Sequence, residues 1–175
     1  MDESGAMMAP LVRRSLAPRG QTPVLEQRAS HRDRVSLIGA LSLSPKRQHI
    51  GLHFRTLPRS YANQHRTAEF LRQLMRQLRG EVVVVWDRGN MHRGESIRDV
   101  LERFPRLKTE WLPPYAPELN PVEHLWNHLK YGKLANYAPR NVPDLNTRLR
   151  RLLHRAKNSK NRLRSFYEAS RLPFQ

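Results

Sequence analysis

The chain has 175 residues, 38% of them apolar, and carries 32 Lys and Arg against 15 Asp and Glu, a formal charge of +17. So large a cationic excess repels itself unless a polyanion offsets it, which points to nucleic acid, although ribosomal and chromatin-type proteins share this composition. Cysteine is absent, which excludes disulfides and thiolate metal sites and leaves His, Asp and Glu to hold any metal.

The length is that of one domain, expected over 1–175, large enough for a real core. No apolar run approaches the roughly 20 residues of a membrane span. The first residues, Met1-Asp2-Glu3-Ser4-Gly5, lack the basic and apolar regions of a signal peptide. A soluble, intracellular protein is the expectation.

Residues 1–20 read as turn and loop, broken by Gly5, Pro10, Pro18 and Gly20, with a short strand at Leu11-Val12-Arg13. Strands are predicted at Thr22–Gln27, Arg34–Ser42 and, after the turn at Pro45-Lys46-Arg47, Gln48–Phe54, together an antiparallel meander. Phe70, Leu71, Leu74, Met75 and Leu78 then recur on one helical face, and Gly80 ends that helix. Val82–Trp86 is apolar on both faces, as a strand in a parallel pairing is. Ile97, Val100, Leu101 and Phe104 mark a second helix that stops before Pro105, and Leu107–Leu112 is the next strand, completing a βαβ unit. Asn120-Pro121 supplies an N-cap and a first helical residue, followed by the stripe Val122, Leu125, Trp126 and Leu129. From Pro139 on, ten Lys and Arg face two acidic residues; Leu145, Leu149, Leu152, Leu153 and Ala156 define one amphipathic helix there, and Leu163, Phe166 and Tyr167 another. Such a tail (139–175) reads as a phosphate-contacting surface before a merely solvated face.

The candidate chemistry lies in carboxylates at the punctuation points. Asp87 ends the apolar strand, where the carboxyl ends of α/β strands face a ligand crevice; it either holds a cation or simply begins a turn. Glu123 follows with 35 residues between them. Its spacing from Asn120 fits a capping box, and its place in the first helical turn equally suits an ionised metal ligand. Asp2-Glu3 offers further acids, or a frayed terminus. His92 is either a site-edge group or a solvated loop residue. His124 and His128 are spaced like a zinc pair but lack an HExxH pattern and a third ligand.

Three stretches, taken in order, carry a resemblance: Asp2-Glu3-Ser4-Gly5; Trp86-Asp87-Arg88-Gly89-Asn90-Met91-His92-Arg93; and Leu112-Pro113-Pro114-Tyr115-Ala116-Pro117-Glu118-Leu119-Asn120-Pro121-Val122-Glu123-His124-Leu125-Trp126. They resemble the catalytic part of a DDE transposase of the mariner-like superfamily, in its bacterial insertion-sequence branch. The resemblance implies an α/β, ribonuclease-H-like fold: a mixed five-stranded sheet flanked by helices. It implies that Asp2, Asp87 and Glu123 hold two Mg²⁺ or Mn²⁺ ions, which cut phosphodiesters at element ends and join them to target DNA. In that family the first catalytic Asp ends the first, central strand. Only Met1 precedes Asp2 here, so the resemblance also implies a truncated chain lacking that strand and the upstream DNA-recognition region, which an upstream half or a homodimer partner would supply. Two other outcomes are an inactive remnant that binds nucleic acid through its charge, and a nuclease without strand transfer.

Overall fold

The computed structural model describes residues 1–26 and 33–172. In chain order the elements are β1 (Asp2–Met7), β2 (Arg34–Leu43), β3 (Ile50–Pro58), α1 (Gln64–Gln77), β4 (Val82–Trp86), α2 (Glu95–Arg103), β5 (Leu107–Trp111), α3 (Pro121–Asn127), α4 (Val142–Lys157) and α5 (Lys160–Ala169). Short 3₁₀ turns at Asn90–His92 and Pro117–Leu119 precede α2 and α3, and a π-helical turn at His128–Lys133 extends α3.

Strands β1, β2 and β3 form an antiparallel ladder, and β4 and β5 a parallel pair. Side chains alternate across β2 and so divide the core. Val35 and Leu37 face Val122, Leu125, Trp126 and the stripe of α4, while Ile38 and Ala40 face α1, β4 and α2. All four residues of the α3 stripe and all five of the α4 stripe are buried, as their periodicity predicts. Asn120 caps α3 through Val122 N at 3.1 Å. Arg106, on the approach to β5, closes α1 from the other end by donating to the carbonyls of Met75, Leu78 and Gly80.

Several expectations change. The first residues are not a loop: Asp2–Met7 is β1, paired with β2 over six positions from Asp2↔Gly39 to Met7↔Arg34. Asp2 therefore begins this strand. On its other side the Met1 nitrogen, donating to Val85 O at 2.8 Å, joins the two ladders. Among the described residues β2 beyond Gly39 pairs with β3 alone, and β4 pairs with β5 alone. A cavity of about 740 Å³ lies between these edges, lined by Ala40–Leu43 and Val82–Val85 among others. Residues 22–26 form no strand, and Gln27 lies outside the described residues. Of Leu11-Val12-Arg13, Leu11 forms an isolated bridge with Ala135. Strand β3 runs on to Pro58, past the predicted end at Phe54. Val83 is exposed, so β4 is not covered on both faces.

Candidate active site

Three elements bring three carboxylates to one cavity. Asp2 opens β1, Asp87 follows the last residue of β4, and Glu123 sits in the first turn of α3; all three line a space of about 360 Å³ together with Arg88, Tyr115 and Asn120. The sequence places these acids 85 and 36 positions apart, and the sheet converts that separation into proximity.

Each acid is held differently. Asp2 is buried, and its Oδ2 accepts a hydrogen bond from Trp126 Nε1 at 2.8 Å, so a residue of the α3 stripe fixes one carboxylate oxygen. The indole reaches it because the residue paired with Asp2 is Gly39: a Cβ there would lie 2.7 Å from the Trp126 ring. Burial, then repulsion from Glu123 and Glu3, pushes the Asp2 carboxyl up to about 7, against the opposing pull of the Met1 amino group and the Trp126 bond.

Asp87 is exposed, yet its Oδ1 is fastened from two sides. Gly89 N donates to it at 2.9 Å, and His92 Nδ1 stands 2.9 Å from it and 2.9 Å from the Asp87 carbonyl. A Cβ on Gly89 would stand 3.0 Å from that same oxygen. The turn that begins at Asp87 thus orients the carboxylate, and the two readings of this residue are compatible.

His92 is not a solvated loop group. It is 2% exposed, stacks on Trp86 with ring centroids 4.6 Å apart, and turns Nε2 to Glu3 Oε2 at 2.9 Å. Burial disfavours its charged form, but the hydrogen bond and charge of Glu3, with Asp87, outweigh it and raise its pKa above the ordinary value. Glu3 also accepts from Thr67 Oγ1 at 3.3 Å. Neighbours along β1, Asp2 and Glu3 point to opposite faces, one to α3 and the other to α1 and His92.

Glu123 does not complete a capping box. The Asn120 N–H, which a box would engage, donates to Pro117 O at 2.9 Å. Among the described residues the Glu123 carboxylate makes no hydrogen bond or ion pair, and it faces the cavity that Asp2 shares.

Among the described residues no group of three His, Asp or Glu side chains is drawn together tightly enough to hold a metal ion, and His124 and His128 gain no third ligand. The donor chemistry nevertheless fits a divalent cation. The three lining groups are hard carboxylate oxygens, and the repulsion that raises Asp2 is what a cation between the acids relieves.

The sequence pattern of the DDE superfamily endonucleases matches residues 1–146, most of the chain. The chain belongs to that family. No curated protein matches it by sequence. Among solved structures it is similar to a Mos1 transposase paired-end complex with the left transposon end (18% identity, TM-score 0.66, covering 97% of this chain and 49% of that one). It is also similar to the Mos1 mariner paired-end complex with Mn (19%, 0.61, covering 99% and 55%) and to the catalytic domain of Mos1 mariner transposase (17%, 0.52, covering 81% and 76%). At these identities the likeness is one of fold, and it bears out the ribonuclease-H-like reading of this chain. The chain spans about half the length of the two paired-end structures it matches.

Trp126, Gly39 and Gly89 belong to the site without having been singled out as site residues, and the candidates Glu3 and His92 join it as a pair. The signals for them are faint: a glycine among the apolar residues of β2, and a histidine five positions after Asp87.

Proposed function

We propose that residues 1–175 are one catalytic domain of a DDE transposase of a bacterial insertion sequence. It cuts DNA at the element ends and transfers the freed strand to target DNA. In this reading Asp2, Asp87 and Glu123 hold two Mg²⁺ or Mn²⁺ ions. Bound there, the ions supply Lewis-acid activation of a water or 3′-hydroxyl and neutralise the leaving oxygen.

The chain's own groups then have distinct tasks. Trp126 and Gly39 fix Asp2; Gly89 and His92 fix Asp87; Asn120 sets the start of α3 and with it the approach of Glu123. The +17 charge, to which α4 and α5 contribute eight cations against two acids, draws and holds the phosphate backbone. The observation that carries the reading is the convergence of three carboxylates from three elements on one cavity in a chain of this family, with Asp2 and Asp87 anchored and Glu123 unengaged among the described residues.

DNA at element ends is the proposed partner, because the related Mos1 structures are paired-end complexes, and a homodimer is the proposed working form. No helix among the described residues is long and apolar enough to cross a membrane, and action on nucleoid DNA in the cytoplasm is part of the proposal. The decisive assay uses labelled duplexes carrying the ends of the encoding element, with Mg²⁺. Release of the end followed by its joining to a second DNA supports a transposase; cleavage without joining indicates a plain nuclease.

One observation favours a second reading, an inactive remnant that only binds nucleic acid: among the described residues a single hydrogen bond joins the β1–β3 ladder to β4. In our reading an extended segment, from an upstream part of the protein or from a partner, fills the cavity between Ala40–Leu43 and Val82–Val85 and joins the ladders. Extending the chain upstream with its encoded residues should then raise both the melting temperature and the cleavage rate. If neither changes, the segment has no such seat.

A further inference from the structure

The segment between β5 and α3 holds a residue whose conformation is costly and whose ring is unburied. Tyr115 has φ +55°, the left-handed region, and is 101% exposed. It follows Pro114 in a tight turn, a position where a positive φ ordinarily selects glycine or asparagine. A bulky aromatic gains nothing there from packing, because the ring touches solvent on all sides. Local backbone strain of this kind concentrates where binding or catalysis needs a side chain in a set place.

The surroundings narrow the purpose. Tyr115 lines the same cavity as Asp2, Asp87, Glu123 and the cation of Arg88. Pro113, Pro114 and Pro117 stiffen the loop on both sides, so the ring is held out at the cavity mouth with little freedom in the backbone beneath it. A flat, exposed, rigidly mounted aromatic beside a phosphodiester-cutting centre and an arginine is the arrangement that stacks on a nucleobase while the cation takes the neighbouring phosphate.

Resting on the DNA-cleavage reading above, we propose that Tyr115 is a substrate-binding residue, its ring stacking on an unpaired nucleobase beside the scissile phosphate. A base inside a duplex presents no free face at this depth, so the contact selects strand ends whose flanking base has left the helix. The stack tethers the strand and sets which phosphate reaches the carboxylates.

Three variants and two readouts test this. Tyr115→Phe keeps the ring and should behave as the parent. Tyr115→Asn keeps the left-handed backbone at lower cost, so its melting temperature should equal or exceed the parent's, while cleavage of a paired-flank duplex should fall by about five- to a hundred-fold. The second readout needs no cleavage. A duplex with an unpaired 2-aminopurine at the flanking position is bound to Glu123→Gln protein, where the stack should quench its fluorescence; the added Tyr115→Asn change should abolish the quench. Unchanged cleavage, or an unchanged quench, in the Tyr115→Asn proteins overturns the proposal, as does a lowered melting temperature that accounts for the lost activity. If the parent cuts no DNA, the cleavage reading fails by itself, and the quench still decides whether Tyr115 stacks on a base.

Discussion

Replacing Asp2 by Asn should stabilise the protein at alkaline pH. Asn retains an oxygen acceptor for Trp126 Nε1 and the volume of the buried site, so the change removes a charge and little else. The Asp2 carboxyl is pushed up to about 7 from 3.8, first by burial and then by Glu123 and Glu3. The folded state therefore binds a proton more tightly than the unfolded chain. The contribution of Asp2 to stability is greatest below about pH 4, falls as pH rises through the window from about 4 to 7, and stays low above it. Roughly 3 pK units at 1.36 kcal/mol each set a ceiling of about 4 kcal/mol on the loss at pH 8. Asp2→Asn escapes it. Thermal or denaturant unfolding of both proteins at pH 4 and pH 8 measures the difference: the variant should gain little at pH 4 and up to that ceiling at pH 8. Added Mg²⁺ should narrow the gap at pH 8 by stabilising the parent alone. Equal pH profiles for the two proteins would refute the reasoning, since Asp2 would then carry no electrostatic penalty.

Other consequences are open to the same kind of test. Gly39→Ala forces the Trp126 ring away from Asp2 and should cost about 1–3 kcal/mol of stability, read from denaturant midpoints, with a matching loss of cleavage. His92 is held above its ordinary pKa of 6.5, so its contribution to stability is complete below that value and fades as pH rises through the folded-state one. His92→Gln should flatten that limb of the melting curve and raise the Mg²⁺ concentration needed for half-maximal Tm gain, because Asp87 loses one of its two anchors.

The parts of the fold legible in the sequence are those written as local pattern. The α3 and α4 stripes, the capped start at Asn120-Pro121 and the valine run of β4 each show periodicity or punctuation that neighbours need not supply. Strand β1 is not written that way. Asp2, Glu3, Ser4 and Gly5 are weak strand formers, and they are extended because β2 pairs with them while Trp126, Thr67 and His92 bind their side chains. The same limit applies at the site. Asp87 and Glu123 stand at recognisable element ends, and with Asp2 the resemblance placed them in one triad. The partners that orient them were hidden. The Trp126 stripe reveals that the ring is buried, not that its nitrogen meets an acid 124 residues earlier. Glu123 shows the converse: its spacing imitates a capping box, and only the hydrogen bond from Asn120 N to Pro117 O takes that role away. The reach of β1 toward β4 is likewise a long-range matter, and Met1 alone marks it.

The central claim is that Asp2, Asp87 and Glu123 act as one cation-dependent centre for cutting DNA. Glu123→Gln tests it most directly, because that side chain makes no hydrogen bond or ion pair among the described residues and its replacement should leave the fold intact. Cleavage of labelled element-end duplex with Mg²⁺ and DNA affinity without it are measured on the same preparations. The account predicts that cleavage disappears while affinity stays similar or rises, since a negative charge has been removed beside the bound phosphates. Cleavage that survives in Glu123→Gln, or that proceeds in the parent without a divalent cation, would contradict it.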